Sequence, residues 1–140
     1  MEKKLYITGY DMERLELILD AALQKNHNQY DNIRKLMDDL DRADIVDEKD
    51  VPDDVVLMNS QVSVMDLDSN EKMTFKLVFP EEANLDRKKV SILAPVGSAV
   101  LGYRTGDIVE WEVPSRKRRL KIAKVTQKSK DNTNIKKPLG

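Results

Sequence analysis

The run Ala94-Pro-Val-Gly-Ser-Ala-Val-Leu-Gly102, with Gly106-Asp107 close behind it, limits the fold of this chain more than any other segment. The apolar segment in front, Val90 to Ala94, is predicted to be a short strand that stops at Pro95, which has no N–H to give a sheet ladder. Gly97 to Leu101 is too short and too rich in small residues for a free-standing helix. It reads as about one and a half turns lying flat on a sheet, with Val96, Val100 and Leu101 facing inward. Gly102 supplies the left-handed residue that closes such a helix. Thr105-Gly106-Asp107 then turns the chain into a further strand, Asp107 to Val113. A strand, a short helix and a strand in so little chain predict the middle of a small α+β domain.

The segments on either side are organised differently. Thr8-Gly-Tyr-Asp11 fits a capping box, and the helix it opens runs to about Leu23, with Leu15, Ile18, Leu19 and Ala22 recurring at helical spacing. Lys25-Asn26-His27-Asn28-Gln29 is a polar break. A second helix, Tyr30 to Ile45, carries Ile33, Leu36, Met37, Leu40 and Ala43 on one side. Neither stripe can be buried by one helix alone, so the two are expected to form a short antiparallel hairpin with a coiled-coil seam. The charge run and proline of Asp47 to Asp54 mark a boundary. Beyond it the pattern becomes strand-like. Val62, Val64 and Leu67 lead to a turn at Asp68-Ser69-Asn70, and Met73 to Phe79 answers with alternation. After a solvated connection from Glu81 to Lys89 and the central run, Arg119 to Val125 is the last strand. The expected organisation is a helical hairpin over 1–46, a linker over 47–54, a sheet domain over 55–127 and a disordered basic tail over 128–140.

Composition narrows the chemistry. The 140 residues contain no cysteine and a single histidine, which removes disulfides, thiolate metal sites, multi-histidine centres and nearly all triad chemistry. No apolar run approaches the length of a membrane span and no signal segment opens the chain, so the expected compartment is the cytoplasm, without membrane association. The net charge of −1 hides an asymmetry: up to Asp54 there are fifteen acidic and eight basic residues, whereas from Ser115 onward ten basic residues face only Asp131. Such a molecule can orient itself in the field of a large charged partner; a merely solubilised surface is the other reading.

The central run closely resembles the C-terminal signature of the bacterial Gre transcript-cleavage family, most of all its shorter Rnk-type branch. Pro52-Asp-Asp-Val-Val-Leu-Met-Asn-Ser60 and Leu40-Asp-Arg-Ala43 match that branch as well, so the likeness covers roughly residues 5 to 113 in the right order. It implies an FKBP-like antiparallel sheet wrapped around a short helix. It also implies RNA polymerase as partner, with the C-terminal domain docked at the rim of the secondary channel through the positions held here by Leu93, Ala94, Pro95 and Val96. The alternative for Pro95 and Val96 is that they close the strand and cap the core. The branch's association with nucleoside diphosphate kinase has no counterpart in any residue of this chain.

In the cleavage factors a long hairpin carries acidic residues at its tip, and these hold a metal ion in the polymerase active centre. Here each arm, at about 1.5 Å per residue, reaches roughly 21–24 Å. The tip residues Asn26, His27, Asn28 and Gln29 include no carboxylate, the ligand a hard divalent cation needs most. The expectation is therefore a non-catalytic monomer, with neither metal nor cofactor, that enters the channel and competes with cleavage factors without stimulating cleavage. Asp38, Asp41 and Asp44, three apart on the second helix, are a candidate acidic contact; the other reading is a solvated face opposing Arg34 and Arg42. Two further functions compete. FKBP-like folds include prolyl isomerases, which need a deep aromatic pocket. The basic run Arg116-Lys117-Arg118-Arg119, placed in a hairpin turn, offers a weak nucleic-acid contact through phosphates, though no aromatic is interleaved for stacking.

Overall fold

Residues 6–25, 30–113 and 116–127 are described by a computed structural model of the chain. Thr8 opens the first helix. Its Oγ accepts from the Asp11 amide at 3.3 Å and its carbonyl from the Met12 amide at 2.9 Å, which satisfies donors that a helix start leaves bare. This helix, α1, spans Gly9–Lys25, and the second, α2, spans Tyr30–Asp41. At 1.5 Å per residue they are about 26 and 18 Å long. Leu15, Leu19 and Ala22 of α1 and Ile33, Leu36 and Leu40 of α2 are buried, as the helical spacing predicts.

The expected extension of the second helix to Ile45 is corrected. After Asp41 the amides of Arg42 and Ala43 bond to the carbonyls of Asp39 and Leu40, both at 3.1 Å, in a tight turn. Asp44–Ile45 then forms strand β2, parallel to β1, Tyr6–Ile7, and the Val46 amide donates to the Ile7 carbonyl at 2.9 Å. The β-branched Ile45 and Val46 favour extended backbone, and pairing with the segment that precedes α1 outweighs a periodicity that reaches only to Ala43.

Five strands make the main sheet: β3 Gln61–Asp66, β4 Lys72–Val78, β5 Lys89–Ser91, β6 Ile108–Val113 and β7 Arg116–Thr126, in the order β5-β4-β3-β7-β6. The expectation of an antiparallel sheet is corrected at one edge. β4 and β5 are parallel, with Lys76 opposite Lys89 and Val78 opposite Ser91. Parallel neighbours need a crossover rather than a hairpin, and the connection with its two 3-10 turns, Pro80–Glu82 and Leu85–Arg87, supplies one. The apolar residues of β7 are spaced two and then three apart, Leu120, Ile122 and Val125. Opposite them Ser63 pairs with Lys124 and Val64 with Ile122, so Ala123 is the extra residue of a bulge that returns Val125 to the inner side.

A single apolar cluster joins the hairpin (Leu15, Leu19, Leu36) to the sheet (Val62, Phe75, Leu77) and to the short helix α3, Pro95–Val100. A second, smaller cluster of Val51, Val55 and Leu57 packs with Tyr6 and Val46 under the small β1–β2 pair. Gln127, at the end of β7, holds that segment: its Nε2 donates to the carbonyls of Pro52 at 2.7 Å and Val55 at 2.8 Å. Gln127 is 4% exposed, so Gln127→Ala removes both bonds, leaving the Pro52 carbonyl only the Val55 amide at 3.3 Å, and is expected to cost about 2 kcal/mol. A urea-unfolding midpoint unchanged from wild type would contradict that assignment.

Candidate functional site

The sequence motif folds into a rigid corner. Pro95 does not end the strand; it occupies the first position of α3, where its missing N–H costs nothing. β5 therefore stops earlier, at Ser91, and residues 92–94 make a tight turn. The Ser91 Oγ accepts from the Leu93 amide at 2.9 Å and the Ser91 carbonyl from the Ala94 amide at 3.0 Å. Ser98 closes the helix start, its amide donating to Ala94 at 2.9 Å and its hydroxyl to the Pro95 carbonyl at 3.2 Å. Gly97 lies so close to β5 that a Cβ there would stand 2.3 Å from the Ser91 carbonyl oxygen. The expected inward residues Val96, Val100 and Leu101 are all buried.

Past α3, Gly102 and Gly106 take the left-handed backbone, at φ 86° and 95°. The chain between them is fastened to residues 54–56. The Gly102 amide donates to Val56 at 2.9 Å, the Val56 amide to Tyr103 at 2.9 Å, and the Arg104 guanidinium to Asp54 at 2.9–3.0 Å. Tyr103 lies against α2: burial, and then the negative charges of Asp39 and Asp107, raise its phenol above the ordinary range.

Of the four motif positions expected at a contact, Leu93 and Ala94 are half-buried, Pro95 is exposed and Val96 is buried. The corner thus presents Pro95 and the outer edges of Leu93 and Ala94, with Val96 beneath them in the core. Asn26, His27, Asn28 and Gln29 lie outside the described residues. The placement of Asp38, Asp41 and Asp44 along one helical flank is corrected: Asp38 and Asp41 are exposed on α2, whereas Asp44 belongs to β2, beyond the end of the helix. Among the described residues no group of three or more carboxylate or histidine side chains is arranged to hold a metal ion.

The basic run is also relocated. Arg116 to Arg119 begin β7 instead of forming a turn, with Lys117 opposite Glu112 and Arg119 opposite Glu110. The Arg118 guanidinium bonds to Asp66, and Arg119 stands 3.6 Å from Asp68. Burial would raise the Asp66 carboxyl. The bond from Arg118 and those from the amides of Asp68 at 2.8 Å and Ser69 at 3.2 Å prevail and hold it below its ordinary value. A depressed carboxyl stabilises the fold above its unfolded value, near pH 4, and that contribution is lost as the pH falls through the native value. Unfolding midpoints measured from neutral pH to about pH 3 are expected to fall more steeply for wild type than for Asp66→Asn. Parallel profiles would contradict the assignment.

Two other features stand outside the expectations drawn from the sequence. Arg14 of α1 lies 3.9 Å above the Phe79 ring and pairs with Glu81 at 2.9 Å, clamping the hairpin to the sheet. Leu17, off the apolar stripe of α1, is 74% exposed; its break from the helical spacing was the one visible signal.

A short hairpin shares its core with a mixed sheet, and a glycine-centred helix packs on that sheet. The family model described as transcription elongation factor GreA/GreB, C-terminal, matches residues 51–127, and that of the Rnk N-terminus matches residues 3–46. The chain belongs to the GreA/GreB family, with an N-terminal segment of the Rnk type. Among its relatives, the regulator of nucleoside diphosphate kinase of Escherichia coli K12 is 34% identical over 79% of each chain. Transcription elongation factor GreA of Alkaliphilus oremlandii is 36% identical over 77% of this chain and 68% of its own. A solved GreA/GreB elongation factor from Nitrosomonas europaea superposes with a TM-score of 0.74 at 39% identity, covering 88% of this chain and 99% of that one. No helix among the described residues is long and apolar enough to cross a membrane.

Proposed function

We propose that this protein is a non-catalytic transcription regulator that binds RNA polymerase at the rim of the secondary channel and competes there with Gre cleavage factors. The observation that carries the non-cleaving part is the hairpin itself. Arms of 17 and 12 residues meet at a tip whose sequence, Asn26-His-Asn-Gln29, holds no carboxylate. Delivery of a metal ion to a buried reaction centre needs both reach and oxygen anions, and this arm supplies neither. Docking is assigned to the corner at Leu93, Ala94 and Pro95, with Val96 as its buried support. A loop braced by a strand and a helix is well suited to contact. Membership of a transcription elongation factor family supports RNA polymerase as the partner, and the sheet domain is read as the FKBP-like docking module and the hairpin as a short coiled coil. The competing nucleic-acid reading is weakened because Arg118 and Arg119 already have carboxylate partners.

The test is a paused elongation complex with a labelled transcript. Added Gre factor is expected to shorten the RNA, and this chain to leave its length unchanged at saturating concentration. Shortening by this chain would overturn the non-cleaving assignment.

A further inference from the structure

We infer that residues 128–140 of this chain dock on the outer face of the hairpin, in the groove between α1 and α2. The apolar surface of the groove is the half-buried Met37 and the exposed Leu17 on its rim, over a floor closed by the core residues Leu19 and Leu40. Its walls are carboxylates: Glu13, Glu16 and Asp20 from α1 and Asp41 from α2. None of the four has an ion-pair partner among the described residues. Apolar floor and unpaired acidic walls together fit a cationic segment that also carries aliphatic side chains.

Such a segment follows β7. Residues 128–140 hold Lys128, Lys130, Lys136 and Lys137 against Asp131, with Ile135 and Leu139 among them. Its starting point is tied to the cluster that follows α2 in the chain. Gln127 is bonded to Pro52 and Val55, and Val55 packs in the cluster that receives Val46, just beyond the end of α2. Thirteen residues in extended form reach about 40 Å, more than the length of either helix. Tethering gives the segment a high effective concentration at the groove. The same face of a second copy is a poor occupant, since it would set acidic wall against acidic wall. The inference is independent of polymerase binding.

The chain has no cysteine, so Leu139→Cys accepts a single nitroxide on the full-length protein. In a 15N-labelled sample, the amides of Glu13, Glu16, Leu17, Asp20 and Asp41 are expected to lose most of their intensity relative to the reduced spin label. The loss is expected at about 0.1 M salt, where charges are screened over about 10 Å, and it should be relieved near 1 M, where the screening length is about 3 Å. Glu13→Lys, Glu16→Lys and Asp20→Lys combined should relieve it at low salt as well, and the salt series decides the matter even if that variant fails to fold. Intensities unaffected at low salt, or lost on another face, would overturn the proposal. So would equal losses in a mixture of spin-labelled unenriched chain with 15N-labelled unmodified chain, since the contact would then lie between copies.

Discussion

Gly97→Ala is expected to destabilise the protein by about 3 kcal/mol, lowering the melting temperature by about 10 °C. The added Cβ would meet the Ser91 carbonyl oxygen at 2.3 Å and the Leu77 Cδ1 at 3.1 Å. The first of these is backbone held in a strand and cannot swing aside. Relief requires α3 to lift from β5, which uncovers Val96 and Val100 and breaks the turn on Ser91. Gly106→Ala is the control. Its φ of 95° disfavours a side chain, but nothing lies within 4 Å of its Cβ position, so a loss of about 1 kcal/mol is expected. Thermal unfolding of both variants checks this, and equal losses would show that backbone conformation, not close approach, governs position 97.

Phe79→Ala is expected to cost about 4 kcal/mol. Phe79 is 1% exposed within the shared core, and the Arg14 guanidinium of α1 rests on its ring at 3.9 Å. Truncation removes a large buried side chain and the platform on which the hairpin leans. Arg14→Ala loses the cation–π contact and a partly solvated ion pair with Glu81, each worth about 1 kcal/mol or less. Denaturant unfolding should therefore separate the two variants clearly. Equal losses would mean that the hairpin is held by Arg14 rather than by the core beneath it.

The parts of the fold that are legible in the sequence are those set by local spacing. Leu15, Leu19, Leu36 and Leu40 declare their buried face by helical periodicity, and Val62, Val64, Phe75 and Leu77 do so by alternation. Val96, Val100 and Leu101 are legible because the small residues between them leave one way to pack. What misleads is pairing between distant segments. Asp44–Ile45 leaves the helix to pair with Tyr6–Ile7, and no local pattern around Asp44 reports the strand waiting ahead of α1. The parallel placement of β5 depends on the route of the connection before it. The four basic residues expected in a turn lie in β7 instead, in register with β6, and Arg118 bonds to Asp66 from a distant strand. At the candidate contact corner, sequence identifies the segment and the inward Val96, but it ends a strand at Pro95 where the chain instead starts α3 with Pro95 facing solvent.

The measurement that bears most directly on the proposed function is a fluorescence titration of the labelled chain against core RNA polymerase from its own source, with unlabelled Gre factor as competitor. Saturable binding that excess Gre factor displaces is the predicted result. No binding at about micromolar polymerase, or binding that saturating Gre factor leaves untouched, would contradict it.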